Sequence, residues 1–391
     1  MDIAVLGAGN RARKYLSCLP DGVKVGCLVE PEEIRLGQAA ARFSVQSSGC
    51  YRSAEAFFAA PHPGIEAAIV AAPDRLHVPL ALQCVRRGWH VLLEKPAAVS
   101  EEEYSQLQTA AERAGVQVGV CLEMRFHPYF RRIRELAASI GEISRIDHVE
   151  HIGPDRMAHT FVRGLWSKAG ESGPIFLSKC CHDADFLLWL ASAQTVGEVR
   201  SIGSLSLFRS SSAPEGAALR CIGCPIERTC RYSAVDLYQR RGEWVSGFDV
   251  PEGLSLSDVI NKELREGRYG RCVYHCDNDV YDTQTVTAVL DGKVRLIMKL
   301  EGTSLEEGRC IRITGSGGVL EAQGGKIVLR SEGNAAVAED FSDIIKAPLH
   351  AGADAELVRD FFESIADGKE PLTSLPSVSS GHLLCYKAIR D

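Results

Sequence analysis

A short apolar segment that ends in a glycine-rich turn constrains this chain more than any other feature. Residues 2–6 have the pattern of a buried strand and lead directly into Gly7-Ala8-Gly9-Asn10-Arg11-Ala12. This matches G-x-G-x-x-G/A, in which the first glycine permits a tight turn and the second lets the backbone approach a pyrophosphate. A small third residue, here Ala12, lets the following helix pack on the strand. We therefore expect Gly7, Gly9, Asn10, Arg11 and Ala12 to contact a dinucleotide, whose phosphates the helix end would hold.

An acidic residue follows at the expected distance. Residues 23–29 read as a second strand, and Glu30 stands at its end, about twenty residues past the glycines. A carboxylate at this place accepts hydrogen bonds from the adenosine ribose and repels a 2′-phosphate, so NAD is favoured over NADP. The alternative is an ordinary surface glutamate beside Pro31.

The alternation of strands and helices continues to about residue 123. Further strands are predicted at residues 66–71, 89–93 and 116–121, and helices at 32–43, 79–87 and 100–113. Ser100 and Glu103 have the spacing of a capping box for the last helix. Repeated βα units of this length predict a doubly wound parallel sheet, so residues 1–123 are interpreted as a Rossmann domain.

Two predicted strands of this sheet end in polar motifs. One runs into Ala72-Pro73-Asp74-Arg75-Leu76-His77, and the other is Val91-Leu92-Leu93-Glu94-Lys95-Pro96. In doubly wound sheets ligands lie in the crevice beyond the carboxyl ends of the strands. Lys95 is therefore expected at a strand tip, where Pro96 ends the strand.

The order of these motifs, followed by Met124-Arg125-Phe126-His127-Pro128, resembles the Gfo/Idh/MocA family of NAD(P)-dependent oxidoreductases. The resemblance covers essentially the whole chain. It implies that Ala72, Pro73, His77, Glu94, Lys95 and Arg125 contact the cofactor. It also implies that residues 124–391 form an α+β domain with an open, mostly antiparallel sheet, whose free face makes a homodimer or homotetramer.

A predicted helix near residue 180 carries candidate catalytic groups. Helical spacing places Lys179, His182 and Asp183 near one face. His182 is a candidate general acid/base because its unperturbed pKa lies near neutrality. The alternative is a buried structural histidine capped by Asp185.

The resemblance implies roles for this helix as well. His182 and Asp185 match the family's histidine and following aspartate, whereas Ser178 stands where the catalytic aspartate usually stands. Lys179 could then orient the substrate as a cation, or the proton could travel through Lys95 and His182 alone. A positively charged nicotinamide near Lys95 is expected to lower the pKa of that amine.

Cysteines cluster in the second half of the chain. The sequence has 14 cysteines, and Cys221, Cys224 and Cys230 precede a pair at Cys272 and Cys276. A C-x₂-C pair with two distant cysteines suits tetrahedral zinc, here through Cys221, Cys224, Cys230 and Cys272, with Cys276 or His275 as alternative fourth ligands. Reduced thiols without metal are the other interpretation, while the spacing does not match the usual ferredoxin iron–sulfur runs. We interpret residues 209–280 as a cysteine-rich insertion.

Composition limits the remaining possibilities. With 391 residues, two domains are expected. A net charge of −7 without a long basic run argues against nucleic acid. No uncharged run reaches membrane-spanning length and no leader pattern precedes the first strand, so a cytoplasmic location is expected.

The remainder of the second domain reads as a meander. Asp291-Gly292 predicts a hairpin between strands at 284–290 and 293–300, and Gly324-Gly325 predicts another turn. Two helices, at residues 353–366 and 381–389, are expected to close the chain.

The resulting hypothesis is hydride transfer between a nicotinamide and a hydroxyl carbon of a sugar, polyol or cyclitol. Lys95, His182 and Lys179 are the catalytic candidates, and Arg125, His159, Arg163 and Trp166 are candidate substrate contacts. A redox-neutral NAD-dependent glycosidase and a non-catalytic NAD-binding protein are the alternatives.

Overall fold

The first domain contains a parallel sheet, here called sheet A. The computed structural model describes residues 1–333 and 336–390. The elements of this domain are β1 (Asp2–Leu6), α1 (Asn10–Leu16), β2 (Lys24–Val29), α2 (Glu33–Phe43), β3 (Cys50–Tyr51), α3 (Ala54–Ala59), β4 (Ile65–Val70), α4 (His77–Val85), β5 (His90–Leu93), α5 (Glu101–Ala114) and β6 (Val118–Val120). The strand order is β3-β2-β1-β4-β5-β6, and every neighbouring pair is parallel. The predicted doubly wound sheet is confirmed.

Both faces of sheet A are buried, which explains the continuous apolar runs in its sequence. Successive side chains of a strand point to opposite faces. In β4, Ala67 and Ile69 belong to one apolar cluster while Ala68 and Val70 belong to another. Since both clusters exclude water, no position in the strand favours a polar residue.

Helix α5 begins as its sequence predicted, with one difference. The Ser100 hydroxyl accepts a hydrogen bond from the Glu103 N–H at 3.2 Å. The Glu103 carboxylate accepts from the Val99 N–H at 3.4 Å instead of from Ser100. The capping box is therefore only half formed, and Gly115, at φ 67°, ends the helix in the left-handed region.

The second domain follows a 3₁₀ turn at Glu123–Arg125. Its regular elements are α6 (Pro128–Ala137), β7 (Ile143–His151), α7 (Pro154–Arg156), α8 (Ala169–Ser172), α9 (Ile175–Ala191), β8 (Val196–Ser204), α10 (Leu256–Arg265), β9 (Thr283–Leu290), β10 (Val294–Glu301), β11 (Gly308–Gly315), β12 (Gly318–Gln323), β13 (Lys326–Ser331), β14 (Val337–Asp340), α11 (Ser342–Ile345), α12 (Ala353–Ala366) and α13 (Leu375–Ala388). Its strands form one sheet, here called sheet B, in the order β14-β13-β12-β11-β7-β10-β9-β8.

Sheet B is mixed but mostly antiparallel, as predicted. Only its β7–β10 pair is parallel among the pairs that the structure describes. The predicted hairpin is present between β9 and β10, and Asp291 adopts φ 48° in its turn. The carboxylate of Asp291 also accepts the Thr195 N–H at 2.8 Å, which fixes the turn against the start of β8.

Several elements differ from the predictions, and three of them are β8, α10 and α13. Strand β8 was not predicted because Val196–Ser204 is an edge strand with mostly exposed, glycine-containing sequence. Helix α10 was not predicted within the cysteine-rich insertion, although Ser255 and Asp258 form a complete capping box at its start. Helix α13 starts at Leu375, ahead of the predicted residue 381, because Pro376 is tolerated in the first helical turn.

The chain returns to the first domain near its end. Helix α12 packs through Leu357 and Phe361 into the apolar cluster that covers one face of sheet A. Helix α13 crosses close to α9, since a Cβ on Gly381 would come within 2.7 Å of the Asp185 Cα. In α13, His382 also accepts the Ala97 N–H at 3.1 Å, so this helix supports the segment that follows Lys95.

Among the described residues, no helix combines the length and the apolar character needed to cross a bilayer.

Candidate active site

The glycine turn after β1 has the geometry that a dinucleotide requires. Gly7 adopts φ +94°, and a Cβ there would come within 2.4 Å of the Ala71 carbonyl oxygen. Gly9 adopts an ordinary φ of −67°, and a Cβ there would meet nothing within 4 Å. Packing within the chain therefore requires a glycine at position 7 but not at position 9. The open space above Gly9 fits a pyrophosphate that approaches the backbone.

Glu30 lies beside this turn at the end of β2. Its carboxylate accepts the Ala8 N–H at 2.9 Å and the Glu32 N–H at 3.1 Å. The Arg35 guanidinium lies 3.4 Å away and also pairs with Asp249 of the insertion at 3.1 Å. The residue is buried at the sheet edge, so it is not the ordinary surface glutamate of the alternative interpretation.

Arg11 is held by carboxylates at the tips of the sheet. Its guanidinium donates to Glu94 and to Asp354, each at 3.0 Å, while the Tyr15 hydroxyl donates to Glu94 at 2.5 Å. Burial disfavours the charge of Arg11, but Tyr15, Glu94 and Asp354 outweigh it and raise the pKa of the guanidinium. Arg11 is thus a fixed cation that lies between the glycine turn and Glu94.

Lys95 connects the two domains. Its ammonium donates to the Ser178 carbonyl of α9 at 2.7 Å. Burial alone would lower the pKa of Lys95, but Cys181 and the carboxylates of Glu94 and Asp74 outweigh it, and the pKa is raised. The surrounding protein therefore favours the ammonium form, opposite to the effect expected from a charged nicotinamide.

The segment after β4 forms the neighbouring wall. The ring nitrogens of His77 lie 2.7 Å from the Pro96 carbonyl and 2.8 Å from the Ala72 carbonyl. His77 thereby ties the ends of β4 and β5 together, and it is fully buried. Trp166 donates from its indole N–H to the Asp74 carboxylate at 3.2 Å.

Lys179 and Asp183, two of the three residues predicted on the catalytic face of α9, contact sheet B instead of the cleft. Lys179 pairs with Glu150 of β7 at 2.5 Å. Asp183 accepts from Arg309 of β11 at 2.5 Å and lies 3.0 Å from His148. The Ser178 hydroxyl turns back to a carbonyl of its own helix. Lys179 and Asp183 thus belong to a buried ion-pair network between α9 and sheet B.

His182 faces the 3₁₀ turn that joins the domains. Its Nδ1 lies 3.4 Å from the Glu123 carboxylate. Burial, followed by the charges of Lys95 and Arg309, lowers the pKa of His182 well below 6.5. These surroundings therefore favour the neutral form of the imidazole. Glu123 was not among the predicted site residues because no motif marks it.

Asp185 does not cap His182. Its carboxylate forms a bidentate pair with Arg125 at 2.5 and 2.9 Å, and both side chains are buried. Arg125 also donates to the carbonyls of Leu372 and Ser377. The structure therefore does not bring Arg125 into the cleft as a cofactor or substrate contact; it places the guanidinium at the junction of α9 and α13.

Arg163 is likewise held inside the protein. Its fully buried guanidinium donates to the carbonyls of Arg271 and Tyr232 and lies 3.5 Å from the Cys221 Sγ. His159 stacks on Tyr269 with ring centroids 4.6 Å apart, and its pKa is lowered to about 4, chiefly by burial. These side chains pack the insertion against the turn after α7.

The predicted metal ligands gather around Cys221. Burial raises the pKa of the Cys230, Cys272 and Cys276 thiols, and the nearby Cys221 adds to the rise in each. The Ala218 N–H donates to the Cys224 Sγ at 3.4 Å. The cysteines are nevertheless not at ligand distance from a common point. Among the described residues, only His148–Glu150–Asp183 and His151–Glu306–Cys310 bring three ligand atoms within 4.8 Å of one another.

A cavity of about 670 Å³ opens between α1 and the insertion. It reaches the glycine turn at Asn10 and the wall of the cleft at Trp166, but neither Lys95 nor His182 lines it. Its other lining residues include cationic and aromatic side chains, namely Arg13, Lys14, Arg42, His159, Trp244 and Tyr269. The insertion therefore forms one wall of this cavity, opposite α1.

Comparison with known proteins supports the interpretation of the first domain as a Rossmann domain. Residues 1–122 match the family model GFO_IDH_MocA, described as "Oxidoreductase family, NAD-binding Rossmann fold". The chain is 24% identical over 261 residues to YteT of Bacillus subtilis, covering 65% of this chain and 59% of that protein. It is 29% identical over 203 residues to inositol 2-dehydrogenase 2 of Saccharopolyspora erythraea, covering 50% of this chain and 55% of that protein. The aligned parts thus span less than two thirds of these relatives.

A solved structure extends the likeness to the whole fold. The structure of an oxidoreductase from Agrobacterium radiobacter, in complex with NAD⁺, L-tartaric acid and magnesium, aligns with a TM-score of 0.70. The alignment covers 99% of this chain and 96% of that one, at 13% sequence identity. Identity at this level shows that the two chains share a fold.

Proposed function

We propose that this chain, whose residues 1–122 match the NAD-binding model of the Gfo/Idh/MocA oxidoreductase family, is a nicotinamide-dependent dehydrogenase. It would transfer a hydride between the cofactor and a hydroxyl carbon of a sugar, polyol or cyclitol. One observation carries the proposal. Lys95, at the tip of β5, donates to the Ser178 carbonyl of α9 across the cleft between the two domains, and α9 carries His182 four residues further on. The open space above Gly9 lies at the same edge of sheet A.

The cofactor would lie along the carboxyl edge of sheet A. Gly7, Gly9, Asn10 and Ala12 would surround its pyrophosphate, and bound nicotinamide would supply the hydride acceptor. Ala72, Pro73 and Glu94 lie at the ends of β4 and β5, where the nicotinamide ring would reach. We propose NAD over NADP because the buried Glu30 carboxylate would repel a 2′-phosphate.

The chain's own residues would divide the proton chemistry between them. The Lys95 ammonium would donate a hydrogen bond to the substrate oxygen, since its surroundings favour the charged form. The neutral His182 imidazole would take the hydroxyl proton. Lys179 would act only through the network that holds α9 on sheet B, because Glu150 already neutralises its charge.

The substrate class rests on a relative. The similar protein from Saccharopolyspora erythraea is an inositol 2-dehydrogenase, so cyclitols come first in a screen, followed by sugars and polyols. Purified protein would be mixed with NAD⁺ or NADP⁺ and each alcohol, and reduced cofactor would be followed by absorbance. Substrate-dependent reduction that Lys95→Ala abolishes supports the proposal. Glycoside cleavage without net reduction would instead favour the redox-neutral glycosidase, and activity with neither substrate type would contradict catalysis.

We also propose that the insertion binds a structural zinc ion through Cys221, Cys224, Cys230 and Cys272. The N–H donors at Cys221 and Cys224 support this, because hydrogen bonds to sulfur stabilise thiolates. Metal analysis would test it on wild type, on Cys224→Ser and on a control, Cys84→Ser, whose thiol is buried in the first domain. One zinc per chain in wild type and control but not in Cys224→Ser is expected. Equal metal contents in all three proteins would contradict the site.

Association of copies is a separate proposal. Along the edge strand β8 of sheet B, exposed side chains alternate with less exposed ones. Ile202 is among the exposed residues and is 81% accessible. We propose that this face forms a homodimer or homotetramer. Light scattering of Ile202→Lys would test it: a shift toward monomer is expected, and an unchanged mass would contradict this surface.

A further inference from the structure

A carboxylate connects the candidate base to the protein surface. Glu123 lies between His182, whose Nδ1 is 3.4 Å from one carboxylate oxygen, and His350, whose Nδ1 is 3.9 Å from the other. The side chains of His182 and Glu123 are only 11% and 12% exposed, whereas that of His350 is 42% exposed. The three groups thus lead from the buried imidazole to solvent.

Two facing polar atoms of this set make no hydrogen bond. The Nδ1 of His182 and the Oε2 of Glu123 are both buried, and neither has a hydrogen-bond partner among the described residues. Buried polar atoms are normally paired, so an unpaired set at one place requires an explanation. Groups that exchange a proton during a reaction would provide one.

His350 is held in position by its backbone and by a second carboxylate. Leu349, His350 and Ala351 all adopt left-handed conformations, with φ between 48° and 54°. Non-glycine residues adopt this region at a cost, and runs of them occur mainly where surrounding structure or function requires it. Asp354, fully buried and paired with Arg11, lies 3.1 Å from the His350 Nδ1 and anchors the ring.

Oxidation of an alcohol releases a proton that His182 cannot retain. Lys95 at the tip of β5, Arg309 on β11 and Lys179 on α9 all disfavour its imidazolium, as does burial, while Asp183 opposes them. Glu123 is the carboxylate that approaches the ring from the domain junction. A proton that reaches His182 must therefore be passed on for turnover to continue.

We propose that Glu123 and His350 form the proton exit of this site; the proposal rests on the dehydrogenase function proposed above. Bound nicotinamide would take the hydride from the substrate C–H bond, and Nε2 of His182 would take the hydroxyl proton. The proton on Nδ1 moves to Glu123, from there to His350, and finally to solvent. Reduction of a carbonyl uses the same groups in reverse, so the balance of atoms and charge is unchanged.

The test compares Glu123→Gln and His350→Asn with the wild type. Glutamine keeps the shape of the side chain but cannot carry the proton, and asparagine tolerates the left-handed backbone at position 350. A matched control is His151→Asn, a histidine paired with Glu306 at the end of β7. NAD affinity and circular dichroism would first establish that each variant is folded.

In weakly buffered solution, both exit variants should lose about 100-fold in kcat, with a larger solvent isotope effect and little change in KM. Added imidazole should restore the kcat of His350→Asn in a saturable manner. The control, His151→Asn, should have the wild-type kcat without added imidazole. An active wild type with unaffected variants, or a loss that imidazole never restores, would overturn the proton exit alone. A wild type that oxidises no alcohol would overturn the proposed function together with the exit.

Discussion

The Lys95 ammonium donates to the Ser178 carbonyl at 2.7 Å, and this bond joins the tip of β5 to helix α9. Lys95 belongs to the nucleotide-binding sheet, whereas α9 belongs to the second domain and carries His182 four residues further on. The two candidate catalytic groups are therefore positioned by one contact between domains. A change at either end alters the geometry of both.

Replacing Lys95 should separate catalysis from cofactor binding. Lys95→Ala removes the hydrogen-bond donor to substrate, so kcat should fall by about 10²- to 10⁴-fold. The affinity for NAD should change little, because the glycine turn lies elsewhere on the sheet edge. Steady-state kinetics and calorimetric titration with NAD measure the two quantities. Loss of NAD binding in step with activity would mean that Lys95 is first a cofactor ligand.

The two glycines of the turn should respond differently to the same substitution. Gly7→Ala places a Cβ 2.4 Å from the Ala71 carbonyl and requires a left-handed backbone, so it should lower the free energy of unfolding by about 1–3 kcal/mol. Gly9→Ala meets nothing within 4 Å and should leave stability unchanged.

The cofactor affinity of Gly9→Ala should nevertheless fall, since the added methyl group occupies the space above the turn. Urea unfolding and NAD titration of both variants test this contrast. If Gly9→Ala bound NAD as wild type does, the pyrophosphate would not approach Gly9.

The pH dependence of kcat/KM should be flat through neutrality. His182 has a pKa well below 6.5, so it loses its function as base only when the pH falls through that lowered value. Lys95 has a pKa above 10.5, so it loses its proton only when the pH rises beyond that value. Initial rates across a wide pH range measure both limbs, and Lys95→Arg should move the alkaline limb upward. A titration near pH 6.5 in the wild type would contradict the low pKa of His182.

The Arg125–Asp185 pair should be structural. Asp185→Ala leaves the buried Arg125 charge without its partner, which should cost about 3–5 kcal/mol of unfolding free energy. The double variant Asp185→Leu with Arg125→Met should be more stable than Asp185→Ala, because no charge is then left unpaired. Urea unfolding compares the two. A mild effect on stability together with a large loss of NAD affinity would return Arg125 to the cofactor site.

The sequence predicted the elements whose patterns are local. Sheet A follows from apolar runs such as Ile65–Val70, and the β9–β10 hairpin follows from Asp291-Gly292. Lys95 was predicted as a site residue because it follows the end of a strand. His182 was predicted because helical spacing places it on one face with Lys179 and Asp183. The edge strand β8 escaped detection because its exposed face and glycines weaken the strand pattern.

The partners of the site residues could not be predicted, because they come from distant parts of the chain. Glu123 meets His182 and His350 only after the domains pack together. The roles of Arg125 and Arg163 depend on burial and on carbonyl acceptors that no sequence motif marks. The resemblance implied that Arg125 contacts the cofactor, and Arg163 was a candidate substrate contact, whereas the structure uses both side chains internally.

The measurement that tests the central claim most directly is the nucleotide content and binding of the purified protein. Protein prepared without added cofactor would be denatured, and the supernatant would be assayed for NAD(H) and NADP(H). A native sample of the same preparation would then be titrated with each nucleotide. Our account predicts one NAD site per chain, with NADP bound more weakly because of Glu30. Protein that neither retains nor binds either nucleotide would contradict the assignment of this cleft to nicotinamide chemistry.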